Sequence, residues 1–408
     1  MDSLAHPAPF PATGSYADGF HPVAFQFAKH LQNGDEIGAS LAVYHRGSLV
    51  VNLAGGLADT ATRKPFRHDT RIVVFSVTKG FAAMALNMLA DRGKLDWDAP
   101  VATYWPQFGR NGKASITLRS LFSHNAGLAA LDTPLTLDDC LHHPERVRLA
   151  LEEQRPQSPA IQAYHGITFG MFASEVFERI ASESMGTFLR RELFEPLGSD
   201  VYLGTPASLD PLFATLYSPS HRERVQKGLL EALFHPHSMD GRMVRSVLSR
   251  ESLARRAFQN PSIGARGVLV YNDIPVRRAE LAWASATASA NGIARAYLPF
   301  ALGGSFEGRR YLKEESLRPL YTREGWSERD GILQKPLGWN RGFLKEDDLV
   351  FGPNREAFGH AGMGGALGWC DPKAEISLGY VLNKMDWRIR SPRAHALTKT
   401  LYACPALR

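Results

Sequence analysis

Residues 71–93 read RIVVFSVTKGFAAMALNMLADRG. Arg71–Phe75 is a short apolar run of strand character. It passes directly into Ser76–Leu89, where Phe81, Ala82, Ala83, Met84, Ala85, Leu86, Met88 and Leu89 are apolar on nearly every side. A helix apolar all round is a buried helix, and Asp91-Arg92-Gly93 supplies its C-terminal stop. Ser76-Val77-Thr78-Lys79, the one Ser-x-x-Lys of the chain, stands at the entrance. Residues three apart share a helix face. A helix start offers unpaired N–H groups and the positive dipole end to a developing negative charge. Burial penalises an ammonium, so a buried lysine loses its proton, and a neutral amine beside a hydroxyl is one way to activate a serine nucleophile. Taken alone, the tetrad reads more plainly as an N-cap serine followed by an exposed lysine.

Upstream, Ile37–His45 and Leu49–Leu53 are a strand pair around Arg46-Gly47-Ser48. The first 35 residues form a Pro- and Gly-bearing arm with a helix near Val23–Leu31. Downstream, the chain from 110 to 280 is mostly helical, with Leu118–His124 and Phe172–Leu189 as the clearest helices; Pro206–Ser262 resists assignment. Ala286–Leu302 is another apolar helix. The end returns to strands: Gly359–Trp369 is glycine-rich, Cys370–Glu375 is a turn, and Ile376–Leu382 alternates, with Ile376, Leu378, Tyr380 and Leu382 on one face. Strands at both ends with helices between predict an α/β sheet domain built from residues 1–110 and 280–408, with a mainly helical domain, 111–279, inserted.

A chain of 408 residues has room for two or three lobes. With 44% apolar and 22% charged residues, disordered and fibrous classes are excluded. No stretch approaches the ~20 apolar residues of a membrane span. The start, MDSLAHPAPFPATGSYADGF, has neither the basic nor the apolar segment of a secretory signal, and there are only three cysteines (Cys140, Cys370, Cys404). Both features lead to an expectation of a cytoplasmic protein. The net charge of +6 raises the question of nucleic acid. The basic cluster from Arg222 to Arg256 is interleaved with Glu223, Glu231, Asp240 and Glu251 and lacks stacking aromatics, so it reads as a solvated helical face and no nucleic-acid partner is expected.

Two further motifs stand apart. Tyr164-His165-Gly166 precedes a helical stretch, and His360-Ala361-Gly362 lies among glycines at 359, 362, 364, 365 and 368, which allow close backbone approach to a ligand or tight sheet packing. There is no Gly-x-Ser-x-Gly elbow, and Leu367 spoils a dinucleotide fingerprint after Gly362-x-Gly364. His142-His143 and His235-Pro236-His237 with Asp240 lack zinc-site spacing, so no metal is expected.

Taken together, the Ser-x-x-Lys helix, the tyrosine motif and the late strand with a three-residue motif ending in Gly362 resemble the penicillin-recognising serine hydrolases. The likeness is to the class C β-lactamase-like branch and, within it, the family VIII carboxylesterases. GKLDWDAPVATYWPQF, ITLRSLFSHNAGL, YHGITFGMFASEVFERI and FGHAGMGGALGWCDP carry it, over roughly residues 36–200 and 280–385. It implies the β-lactamase/transpeptidase-like fold (α/β plus all-α, an antiparallel sheet flanked by helices with an inserted helical domain) and no cofactor. It also implies Ser76 as nucleophile, Lys79 and Tyr164 sharing the general-base work, and an oxyanion hole from the backbone N–H groups of Ser76 and Met363, with His360, Gly362 and His165 beside the substrate. Departures matter: Gly166 replaces the asparagine of Tyr-x-Asn, and His360 replaces the lysine of Lys-Thr-Gly, so a permanent cation facing a substrate carboxylate is missing. A neutral ester, short-chain or moderately bulky, is then the expected substrate. A β-lactamase, a D-amino-acid peptidase or amidase, or an acyltransferase on the same site is the alternative, and a non-catalytic binding protein of the same fold is the reading from another class.

Overall fold

In the computed structural model, which describes residues 4–158, 160–249, 251–346 and 349–407, the two ends of the chain meet in one sheet. In chain order its parts are β1 (His6–Pro7), β2 (Thr13–Tyr16), helix α1 (His21–Gln32), β3 (Gly38–His45), β4 (Ser48–Asp59) and β5 (Lys64–Pro65). The buried helix is α2 (Val77–Asp91). After it the chain is mainly helical and includes α3 (Thr168–Ala181), α4 (His221–Phe234), α5 (Met239–Leu248) and α6 (Ala290–Ala301). It closes with β6 (Gly325–Ser327), β7 (Leu337–Asn340), β8 (Phe343–Glu346), β9 (Phe358–Ala361), β10 (Leu367–Asp371), β11 (Ile376–Leu382) and α7 (Pro392–Tyr402). Among the described residues the sheet runs β1-β2-β4-β3-β11-β10-β9-β8-β7-β6, with β5 on β4, all pairs antiparallel. The seam between the chain's two ends is β3 with β11, Leu41 opposite Tyr380 and Val43 opposite Leu378.

The period of two in these strands sorts the core into layers. Leu41 and Val43 of β3 and Ile376, Leu378, Tyr380 and Leu382 of β11 pack with Phe27 of α1 and Leu397 and Leu401 of α7. Ala42, Tyr44 and Val381 face the other way, into the core that holds α2 and α6. Glycine is required where α6 lies on the sheet: a Cβ on Gly379 would strike the Ala290 carbonyl, and one on Gly368 the Ile293 side chain. No helix among the described residues is long and apolar enough to cross a membrane.

Several boundaries differ from the reading of the chain alone. The expected single strand Gly359–Trp369 is a hairpin, β9 and β10. Gly364 (φ +85°) and Gly365 (φ +133°) reverse the chain in a conformation that suits glycine. Cys370 therefore belongs to β10 rather than to a turn. The expected helix Phe172–Leu189 begins earlier, at Thr168, and breaks at Ser182, which takes a left-handed conformation (φ 58°); Ser184 then caps a short second helix, Met185–Leu189. The strand expected at Leu49–Leu53 runs from Ser48 to Asp59. The helix expected at Ala286–Leu302 starts at Ala290, because Ser289 accepts from the Gly292 N–H as an N-cap. The unassigned stretch Pro206–Ser262 holds α4, α5 and a third helix, Leu253–Gln259.

Candidate active site

The turn from Val74 into α2 is strained and tied down. Phe75 has φ +49°, a costly conformation for an aromatic residue, of the kind that persists where surroundings enforce it. Those surroundings are residues 285–287: the Val74 N–H donates to the Ala286 carbonyl (2.9 Å), and Thr78 Oγ1 accepts from the Ala286 N–H (3.1 Å). Ser76 occupies the N-cap position of α2, but its side chain caps nothing. It is partly exposed, whereas its neighbours from Arg71 to Gly80 are buried. The plain N-cap reading of this serine therefore does not describe it.

The Ser76 hydroxyl is instead held by two side chains. Lys79 Nζ donates to Ser76 Oγ at 2.9 Å, and the Tyr164 hydroxyl donates to the same oxygen at 2.9 Å. Lys79 is fully buried, and its other hydrogen bond goes to the Trp283 carbonyl (2.9 Å). Burial, reinforced by the nearby Arg390 charge, pulls its pKa well below the ordinary lysine value. Burial pushes the Tyr164 phenol up to about 12, against the opposing hydrogen bond to Ser76. At neutral pH the tyrosine thus keeps its proton. The lysine has lost much of its tendency to hold one.

Tyr164 is oriented by stacking. Its ring lies parallel to Trp339 of β7 (centroids 5.3 Å apart, planes 7° apart), and Lys79 Nζ sits 5.3 Å from its centroid. Trp339 is in turn met by the His124 ring at 4.0 Å. His124 Nδ1 accepts the backbone N–H of His165 at 2.9 Å, which ties the residue after Tyr164 to the loop after Leu118–Phe122.

The remaining motif residues separate. His165 is fully buried, both its ring nitrogens lack a hydrogen-bond partner, and burial lowers its pKa to about 3. It packs against His124 and does not face an open cleft. His360 on β9 is also fully buried, with Nδ1 3.0 Å from the Ala361 carbonyl. Burial first keeps it neutral, and the Arg390 charge acts the same way. Gly362 follows β9 and sits directly against the Val74 carbonyl: an added Cβ would collide with that oxygen. This brings the turn that carries Met363 beside Ser76. Among the described residues, no protein group accepts from the N–H of either Ser76 or Met363.

Three participants carry no motif signal. The Trp283 carbonyl follows from the path of the backbone. Trp339 lies in a strand whose pairing is set at long range. Arg390, from the loop after β11, bonds the Ala361 carbonyl (3.4 Å), and its charge bears on Lys79, Tyr164 and His360. His360, where the family has a lysine, is neutral, and the guanidinium beside this strand comes from another element, the loop after β11. Among the described residues no group of three or more His, Cys, Asp or Glu side chains is placed to hold a metal.

A family model described as Beta-lactamase matches residues 26–401. The chain is 33% identical over 352 residues to the esterase/beta-lactamase LipL of Mycobacterium tuberculosis, covering 85% of this chain and 77% of that protein. Among solved structures it is similar to a family VIII carboxylesterase (TM-score 0.82, 30% identity, 97% of this chain and 100% of that one). It is likewise similar to a penicillin-binding protein homologue from Caulobacter crescentus (TM-score 0.81, 30% identity, 96% and 99%).

Proposed function

The chain belongs to the β-lactamase family, and within it we propose a serine carboxylesterase acting on short-chain or moderately bulky neutral esters through an acyl-enzyme on Ser76. One observation carries the reading: Ser76 Oγ lies 2.9 Å from both a fully buried lysine amine and a tyrosine hydroxyl. Lys79, neutral through burial, is the base. As Ser76 Oγ bonds to the ester carbonyl carbon, its proton passes to the lysine amine, directly or through the Tyr164 hydroxyl, which remains protonated at rest. The carbonyl oxygen becomes an oxyanion, received by the free N–H groups of Ser76 and Met363. Each such preorganised donor is worth about 3–4 kcal/mol to the transition state. Collapse breaks the bond to the alcohol, which leaves with the proton from the lysine–tyrosine pair. Water then repeats the sequence on the acyl-enzyme, releasing the acid and restoring Ser76. The similarity to esterases over most of the chain supports this reading.

Arg390 favours a second reading, lactam hydrolysis, because a fixed cation beside β9 suits a substrate carboxylate. One experiment separates the two. A fluorophosphonate probe should label wild-type protein and leave Ser76→Ala unlabelled. The wild type should turn over p-nitrophenyl acetate or butyrate faster than nitrocefin, and Ser76→Ala should turn over neither. Faster nitrocefin turnover would reverse the order of the readings. Unchanged ester turnover in Ser76→Ala would remove both.

A further inference from the structure

Helix α4 is built inside out. Its side toward the protein carries Gly228, where an added Cβ would meet Val244 of α5 at 3.5 Å. That side also carries Arg224, bonded to Ser218, and Glu231, which accepts from Ser238 at 2.7 Å. Its outward side carries Val225, Leu229, Leu230, Leu233 and Phe234, all exposed, Leu233 by 64% and Phe234 by 72%. A stripe at positions i, i+4 and i+8 that points away from the core is the reverse of an ordinary surface helix.

The charges around the stripe are net basic. Arg222 and Arg245 are exposed, and Lys227, also exposed, is bridged to Glu223 (2.6 Å). Of the other acidic groups, Glu231 bonds inward and Asp240 pairs with Arg388 (3.1 Å), while Glu251 is exposed beyond the end of α5. The whole chain carries +6. Contact between two copies through this face would set two net-basic rims against each other. An anionic lipid surface matches both the apolar stripe and the basic rim.

We propose that the α4–α5 hairpin is a docking element for an anionic lipid surface, with the side chains of Leu229, Leu233 and Phe234 entering the acyl boundary. The hairpin's other side borders a cavity of about 330 Å³ whose wall is mixed, with Met239, Met243 and Ile389 beside Asp240, Lys335 and Arg390. The last of these is the residue that reaches the Ala361 carbonyl beside the Ser76 site. The docking itself does not depend on the esterase reading, and its test uses no turnover of lipid.

The full chain carrying Ser76→Ala is sedimented with vesicles of phosphatidylcholine alone or of phosphatidylcholine and phosphatidylglycerol in equal parts. Binding is expected to the mixed vesicles, weakened by salt on the order of 0.5 M. The triple variant Leu229→Ser/Leu233→Ser/Phe234→Ser should lower the partition coefficient about a hundredfold, because three partly exposed apolar side chains lose their transfer free energy. In the Ser76-bearing background it should keep the thermal midpoint and the turnover of a soluble ester. Arg222→Glu/Arg245→Glu, which leaves the apolar stripe intact, should abolish the preference for phosphatidylglycerol. Absence of binding to the mixed vesicles would overturn the proposal, as would equal binding by the triple variant. So would a salt-resistant dimer that the triple variant splits.

Discussion

Replacing Lys79 by methionine tests the central electrostatic claim without relying on activity. Methionine has nearly the length of the lysine stem, so the core around α2 stays filled while the titrating group disappears. In the native protein burial depresses the Lys79 pKa, whereas in the unfolded chain the amine has its ordinary value near 10.5. Between those two values the unfolded state binds one proton more than the native state, so wild-type stability rises with pH. The rise has a slope of about 1.4 kcal/mol per pH unit. Lys79→Met lacks this term, and every other titration is shared. Urea midpoints measured for both proteins should therefore show the wild type gaining on the variant as pH is raised toward 10.5, by up to about 1.4 kcal/mol per pH unit. A constant offset is expected on top, because the Trp283 carbonyl loses its partner, at a cost of about 1–3 kcal/mol. It moves the two curves apart without changing their relative slope. Ester turnover should fall by roughly 10²–10⁴ with the base removed. Parallel stability curves over this range would mean that the native lysine is charged there, and the base assignment would fail with them.

Two other substitutions probe parts of the site that play different roles. Gly362→Ala places a Cβ into the Val74 carbonyl, so the 362–366 turn must move away from the nucleophile. Ester kcat should drop about 10²–10³-fold, as for loss of one oxyanion donor, while fluorophosphonate labelling still reports a folded Ser76; wild-type kcat would show that Met363 is not a donor. His165→Leu removes a ring whose two nitrogens have no partner and leaves the backbone N–H bond to His124 in place. The His165 pKa is depressed to about 3, so its native state resists the proton that the unfolded chain takes up below about 6.5. Wild-type stability falls as pH drops through that window, and the variant should gain about 2 kcal/mol on wild type by pH 5. Its kinetics for a soluble ester should stay close to wild type. A large rise in KM would restore His165 as a substrate contact.

Much of the architecture is legible in the order of residues because its causes are local. The all-round apolar run after Ser76 can only be a buried helix, and the alternation at Ile376–Leu382 can only be a strand with one face in a core, as both are in the structure. The hairpin at 358–371 was harder to read, because glycines serve both a strand under a helix and a chain reversal, and composition does not distinguish the two. The helical stretch 206–262 hid its organisation for a related reason: α4 turns its apolar stripe outward, so a rule that assigns apolar faces to the core misplaces it.

The site divides along the same line. Ser76 and Lys79 share one helix face by spacing alone, so their contact follows from four consecutive residues. Everything that gives the contact chemical meaning comes from elsewhere in the chain. Tyr164 arrives across 88 residues and is aimed by Trp339, the Trp283 carbonyl takes the second lysine hydrogen bond, and Arg390 brings a cation to a strand whose own residue is a neutral histidine. The pair is thus written in the sequence, because helical periodicity is local. The protonation state of the lysine, the aim of the phenol and the charge beside β9 are decided by tertiary structure. Burial and orientation belong to the assembled surroundings and to no single segment.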